Sequence, residues 1–232
     1  MSTSNICPID GRYRHITEDL RRVWGDAHLM GHRVYVELKW LEFFVANVHP
    51  RVPMTAEQLR DLQPLYEVRE EHLKRIFEIE KETNHDVKAV EYYLRERLGG
   101  IPSLSAFSEF IHILCTSEDI NSLSYALMLQ QTLRKALLPA VESLLETLQT
   151  LAQQHADTPL LARTHGQPAT PTTFGKEFAV YYHRLQKHKR KLEGVKAAGK
   201  FSGAVGNFNA HVVAFPHLDW PQLAQTFVEA AV

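Results

Sequence analysis

The sequence predicts an all-α fold, and three observations carry that prediction. Apolar residues recur at helical spacing along almost the whole chain. No segment shows convincing apolar and polar alternation closed by a hairpin turn. The longest apolar stripe, Ile120, Leu123, Leu127, Leu137, Val141, Leu144, Leu148 and Leu151, is a rod on the order of 50 Å at 1.5 Å per residue. A rod of that length suits a helix bundle or an oligomer core better than a small isolated domain.

The elements follow in order. Leu20, Val23, Ala27, Val34, Leu38, Leu41, Val45 and Val48 read as one long amphipathic helix, with Thr17 as its N-cap and Pro50 beyond its end. Thr55 with Gln58 is a capping box for a short helix. Pro64 opens a further helix carrying Leu65, Val68, Ile76 and Ile79, whose pattern falters from Thr83 to Asp86. Val87, Val90, Leu94 and Leu98 mark the next helix, stopped by Gly99 and Gly100, with Pro102 blocking continuation. Phe107, Phe110, Ile111 and Leu114 form a short helix. The rod begins after Thr116 and Ser117, where Glu118 and Asp119 suit the positive end of a helix, and a kink is expected near Pro139. Pro159 to Thr170 reads as a loop. Thr170 and Pro171 then cap a helix with Phe174, Phe178, Tyr182, Leu185 and Leu192 on one face, ending near Gly199. Gly203, Gly206, Asn207 and Asn209 mark a second ordered loop, and a last helix runs from about Asp219 to Val232.

Composition narrows the function. The 232 residues hold 26 Lys+Arg against 27 Asp+Glu, a formal net charge of -1, with 44% hydrophobic residues. A chain of this length buries roughly 70 to 75% of its unfolded surface and needs neither disulfides nor a structural metal to support a core. Near-zero net charge argues against nucleic acid as the main partner, and no apolar run approaches the ~18 residues of a membrane span. Cys7 and Cys115 form no CxxC pair, which fits a reducing, cytoplasmic setting. The segment from Met1 to Asp10 has no signal-peptide pattern.

Three polar clusters interrupt the helices. Asn84, His85 and Asp86 break a helical pattern; from spacing alone Asn84 and Asp86 read first as caps. Thr116 and Ser117 stand at a helix start, either as an N-cap pair or as donors to an anion. His165 lies among Arg163, Thr164, Gly166 and Gln167, bracketed by Pro159 and Pro168, and is the side chain best suited to proton transfer near neutrality. Other constellations fail. His28 and His32 have metal-pair spacing but no adjacent Glu, Cys115 follows Ile113 and Leu114 as a small buried hydrophobe would, and the run from His183 to Lys191 reads as a solvated helix face. No GxSxG or GxxxxGK[ST] motif occurs.

The stretches DGRY (10–13), TNHDVKAVEYYL (83–94), SEFIHILCTSEDIN (108–121), RTHGQPATPTTFGKE (163–177) and GAVGNFNAH (203–211) resemble adenylosuccinate lyase, of the fumarase/aspartase superfamily, over roughly residues 5 to 220. The resemblance implies an N-terminal helical domain, 1–114, followed by part of a long-helix bundle, 115–232, which in the family assembles as a homotetramer. It implies elimination of fumarate from adenylosuccinate to give AMP, and from SAICAR to give AICAR, without metal or organic cofactor. By matching motif, His165 corresponds to the general acid, Arg12 and Tyr13 would contact the phosphate-bearing end of the substrate, and Asn84, His85, Asp86, Thr116 and Ser117 would line its site. Two departures stand out. Ser122 replaces the Asn common after Asn121, a change expected to retune the hydrogen bonds around Thr116 and Ser117. The SSxMPxKxNP loop, which carries the serine base, occurs nowhere in the 232 residues. The expectation is therefore an N-terminal half that is inactive alone, or, as the alternative, a non-catalytic helical oligomerisation module of the same family.

Overall fold

The computed structural model describes residues 6–231. The chain is mostly helical and divides into two compact units, residues 1–129 with 197–232, and residues 130–196. Among the described residues no helix is long and apolar enough to cross a membrane.

The first unit opens with α1 (Glu18–Trp24) and α2 (Asp26–Phe43), where a single long helix was expected. Gly25 is extended, with φ -72° and ψ 156°, and separates them. A Cβ at Gly25 would lie 2.9 Å from the Arg21 carbonyl oxygen, tighter than side-chain carbons tolerate. Thr17 precedes α1 but does not cap it, because its hydroxyl is turned to the carbonyls of Ile9, Tyr13 and Arg14. The capping box that opens α3 (Ala56–Leu62) is present in both directions, Gln58 N to Thr55 Oγ1 at 3.2 Å and Thr55 N to Gln58 Oε1 at 2.8 Å. Pro64 opens only a 3₁₀ turn; the helix bearing Ile76 and Ile79 is α4 (Glu70–Thr83). Next comes α5 (Asp86–Gly99), ending at the glycine pair as expected. The short helix expected around Phe107 and Phe110 is a 3₁₀ helix over residues 105–110, which ends before Ile111 and Leu114.

The core gathers apolar faces of α2 and α5 with residues far along the chain. Trp40 is its centre. Its ring lies 4.3 Å from Phe201 and 5.0 Å from Phe227, and its indole N–H donates to the Ile113 carbonyl at 2.7 Å. Tyr and Trp rings bury large apolar areas but need a partner for their polar tip, and Ile113 supplies it here. The unit is completed by α6 (Ser117–Thr132), α9 (Asn209–Ala214) and α10 (Trp220–Ala231).

Between α6 and α7 (Leu138–Gln154) the disturbance expected at Pro139 takes the form of a π turn over Leu133–Leu137. Pro139 has no N–H to donate and its ring crowds the carbonyl four residues back, so the ladder loosens just before it. In the second unit α7 packs against α8 (Phe174–Glu193), with Lys189 paired to Glu142 and the Phe174 ring 5.4 Å from His155. The expected loop at 159–170 is instead a two-stranded antiparallel ribbon, β1 (Pro159–Thr164) with β2 (Gln167–Thr173). Thr173, not Thr170, caps α8 by accepting from Lys176 N at 3.2 Å, and α8 ends at Glu193 instead of near Gly199. Three prolines disguised the ribbon; each of its strands has an outward edge on which a missing N–H breaks no pairing.

Candidate functional site

The turn from α4 to α5 carries the first cluster. Asn84 takes the left-handed conformation, φ 50° and ψ 33°, and closes α4 through its N–H on the Glu80 carbonyl at 2.8 Å. That is the cap the sequence suggested, and the reversal it creates presents His85. His85 is the N-cap of α5: its Nδ1 accepts from Lys88 N at 3.2 Å. A ring nitrogen that accepts a backbone N–H carries no proton, so the neutral imidazole keeps its proton on Nε2. That nitrogen lies 3.4 Å from Ser117 Oγ. The Ser117 hydroxyl thereby accepts from His85 and retains its own proton for donation. At the start of α6, where the helix dipole is positive, this makes a donor position suited to an anion.

Asp86 lies between these groups and the interior. Burial pushes its carboxyl up, but the charge and hydrogen bond of Arg33 and the N–H of Val87 outweigh that and hold it below the usual carboxylate range. Arg33 reaches Asp86 Oδ2 at 2.5 Å and, through Nε, Asn121 Oδ1 at 2.9 Å. Sequence reading passed over Arg33. It sits beside Val34 on a helix counted by its apolar residues, and a charge buried there was the signal to notice.

Thr116 is held by a buried carboxylate. Asp119 accepts from Thr116 N at 3.0 Å, Lys200 Nζ at 2.7 Å, Ser202 N at 2.9 Å and Gly203 N at 3.1 Å. The residue is fully buried, and four donors, one of them the Lys200 ammonium, satisfy its two oxygens away from water. Ser122 Oγ accepts from Lys200 N at 3.0 Å. The Ser122 side chain therefore serves the 200–203 segment and does not bond to Thr116 or Ser117. Neither Lys200 nor the reach of Asp119 was legible from spacing, since the partners lie 81 residues apart.

Two other histidines of this unit, His112, mostly buried, and His211, fully buried, have shifted pKa values. His112 bonds Glu37 at 2.6 Å; burial lowers its pKa, and the bond and charge of Glu37 outweigh burial and raise it. His211 is fully buried with neither ring nitrogen bonded, packed 4.7 Å from the Trp220 ring, and burial lowers its pKa. Burial also pushes the Cys115 thiol well up, which suits a packed and unreactive side chain.

Arg12 and Tyr13 are both exposed, in the turns that precede α1. Among the described residues no hydrogen bond or ion pair joins either to His85, Asp86 or Ser117. His165 belongs to the second unit. It forms, with Gly166, the two-residue turn of the ribbon, φ 49° and 76°, closing the Thr164 and Gln167 pair. Positive φ at both central positions is the primed hairpin turn, which Gly accepts freely and His adopts only under constraint. The exposed imidazole is thus presented by backbone geometry. The structure therefore brings His85, Asp86 and Ser117 together, and places His165 on a ribbon tip.

A family model described as lyase matches residues 11–231. The adenylosuccinate lyase of Escherichia coli (strain K12) is 46% identical over 98% of this chain and 50% of its own length. That of Vibrio cholerae serotype O1 is 41% identical over 96% of this chain and 50% of its own length. The crystal structure of a fumarate lyase from Mesorhizobium sp. BNC1 superposes with a TM-score of 0.72 at 19% identity, over 92% of this chain and 47% of that one. The chain spans about half the length of the curated relatives it matches.

Proposed function

The chain belongs to the lyase family, and on that premise we propose that it carries the general-acid half of an adenylosuccinate lyase active site. The observation that carries this reading is the 46% identity to the E. coli enzyme of that name, spread over nearly the whole chain.

In this reading adenylosuccinate loses fumarate by β-elimination. A base removes the proton beside a carboxylate, the C–N bond breaks, and the leaving nitrogen takes a proton. His165, as imidazolium, supplies that proton. Ser117, His85 and the first turn of α6 supply hydrogen bonds to the negative charge that accumulates on the departing four-carbon acid. Asn84, Asp86 and Thr116 line the same site, and Arg12 with Tyr13 receives the phosphate-bearing end. SAICAR follows the same course to AICAR. The polypeptide acts in the cytoplasm, in a homotetramer whose sites draw on several subunits, with residues 1–114 as its N-terminal helical domain and 115–232 as part of the central bundle.

The test is complementation. Alone, the 232-residue chain releases no fumarate from adenylosuccinate; mixed with a polypeptide carrying the SSxMPxKxNP loop, it does. In that mixture His165→Gln lowers turnover by about a hundredfold or more, the usual weight of a positioned acid. Undiminished turnover in His165→Gln would refute the assignment, and a co-assembled mixture with no turnover at all would favour the non-catalytic module.

A further inference from the structure

We propose that Arg33 is the positioning residue that sets the distance between His85 and Ser117. A guanidinium with only 3% of its side chain exposed is hard to reconcile with the apolar face around it unless its partners matter. Its two polar partners come from different stretches of chain. Asp86 directly follows His85 and opens α5, while Asn121 stands one turn after Ser117 on α6, the i, i+4 neighbour on the same helix face. One rigid fork on α2 therefore fixes the start of α5 and the first turn of α6 at once. The gap between His85 Nε2 and Ser117 Oγ, 3.4 Å, is the dependent quantity. A lysine cannot substitute, because a single ammonium does not present two donors in the planes that Asp86 and Asn121 occupy. Asp86 has both oxygens committed, Oδ2 to Arg33 and Oδ1 to the Val87 N–H at 2.9 Å, so it acts on the site chiefly by orienting its neighbour.

The consequence for ligand binding rests on the reading of His85 and Ser117 as substrate-binding groups; the tether itself does not. Long-range ¹H–¹⁵N spectra of the histidine rings in the complete chain, with His85 assigned through His85→Gln, test it without ligand. In Arg33→Lys the Nε2–H resonance of His85 moves upfield, as its hydrogen bond to Ser117 lengthens. In Asn121→Ala, which keeps the Arg33 to Asp86 pair and so protects folding, the ring moves the same way by less. Thr55→Ala, which weakens the same unit at a remote cap, leaves the ring unchanged. An unaltered His85 ring in folded Arg33→Lys or Asn121→Ala overturns the proposal, as does an equal change in Thr55→Ala. Titration with adenylosuccinate is the second arm. Arg33→Lys weakens its binding roughly tenfold to a hundredfold, the loss that accompanies removal of a charge-assisted hydrogen bond. A wild-type chain that shows the tether in its ring spectrum yet binds no adenylosuccinate leaves the role of Arg33 standing and removes the functional reading instead.

Discussion

The two units hold their functional side chains by different means. In residues 1–129 with 197–232, aromatic rings meet around Trp40, and buried charges fix the polar groups: Arg33 holds Asp86, and Asp119 holds Thr116. In residues 130–196 the buried positions are Leu133, Leu145 and Gly175, and His165 is presented by the torsion angles of a hairpin turn. A network buried in an apolar interior tolerates little change, since each member left unpaired carries a desolvation penalty. A turn tolerates any residue that accepts its backbone conformation. Substitutions should therefore separate stability from chemistry in the second unit and confound them in the first.

The sharpest way to break this contrast is at the centre of the first core. Trp40→Ala should destabilise that unit by about 4 kcal/mol in urea unfolding, through lost burial and a cavity between Phe201 and Phe227. A loss under about 1 kcal/mol would show that the rings are not the core. In the second unit the comparable site is a glycine. A Cβ at Gly175 would run into the Ala152 carbonyl oxygen and come within 2.7 Å of Ala156 N, so Gly175→Ala should cost about 3 kcal/mol. Hydrogen exchange should show its effect at the α7 and α8 contact, with protection around Trp40 unchanged.

His112 and His211 allow a finer comparison within the first unit. His112 has a raised folded pKa, so its stabilising contribution is complete below its unfolded pKa, near 6.5, and is lost as pH rises through the raised value. His211 has a lowered folded pKa, so it contributes above its unfolded pKa and that contribution is lost as pH falls from there towards the folded value. Urea midpoints measured across this range should lose their alkaline decline in Glu37→Gln and their acid decline in His211→Phe. If both variants change the same limb, the assigned signs are wrong. Smallest of all is the effect of His165→Asn on stability, within about 0.5 kcal/mol, because Asn suits positive φ as well as His does. A large loss there would mean that the ribbon depends on the imidazole itself.

What the sequence disclosed and what it hid follow the range of each interaction. Thr55 and Gln58, three residues apart, announced their capping box, and Gly99 with Gly100 announced the end of α5. Gly25 was hidden because Leu20, Val23 and Ala27 keep helical step across it. The ribbon was hidden because both faces are solvated, so no alternation marks it, and Pro159, Pro168 and Pro171 mimic a loop. Candidate site residues were visible as motifs, whereas the groups that orient them were not. Asp119 and Lys200 are separated in sequence by the whole of the second unit, and Arg33 reaches partners 53 and 88 residues away. Such pairings have no local signature.

The bond from Lys200 N to Ser122 Oγ has a topological consequence. Because Lys200 meets Ser122 within the first unit, residues 130–196 form an excursion whose flanking segments are tied together. The entropy of closing such a loop grows only logarithmically with its length. Lengthening or shortening the excursion therefore perturbs its host little, which makes it the stretch of polypeptide where evolution can fit new neighbours with the least disturbance to the groups around Arg33.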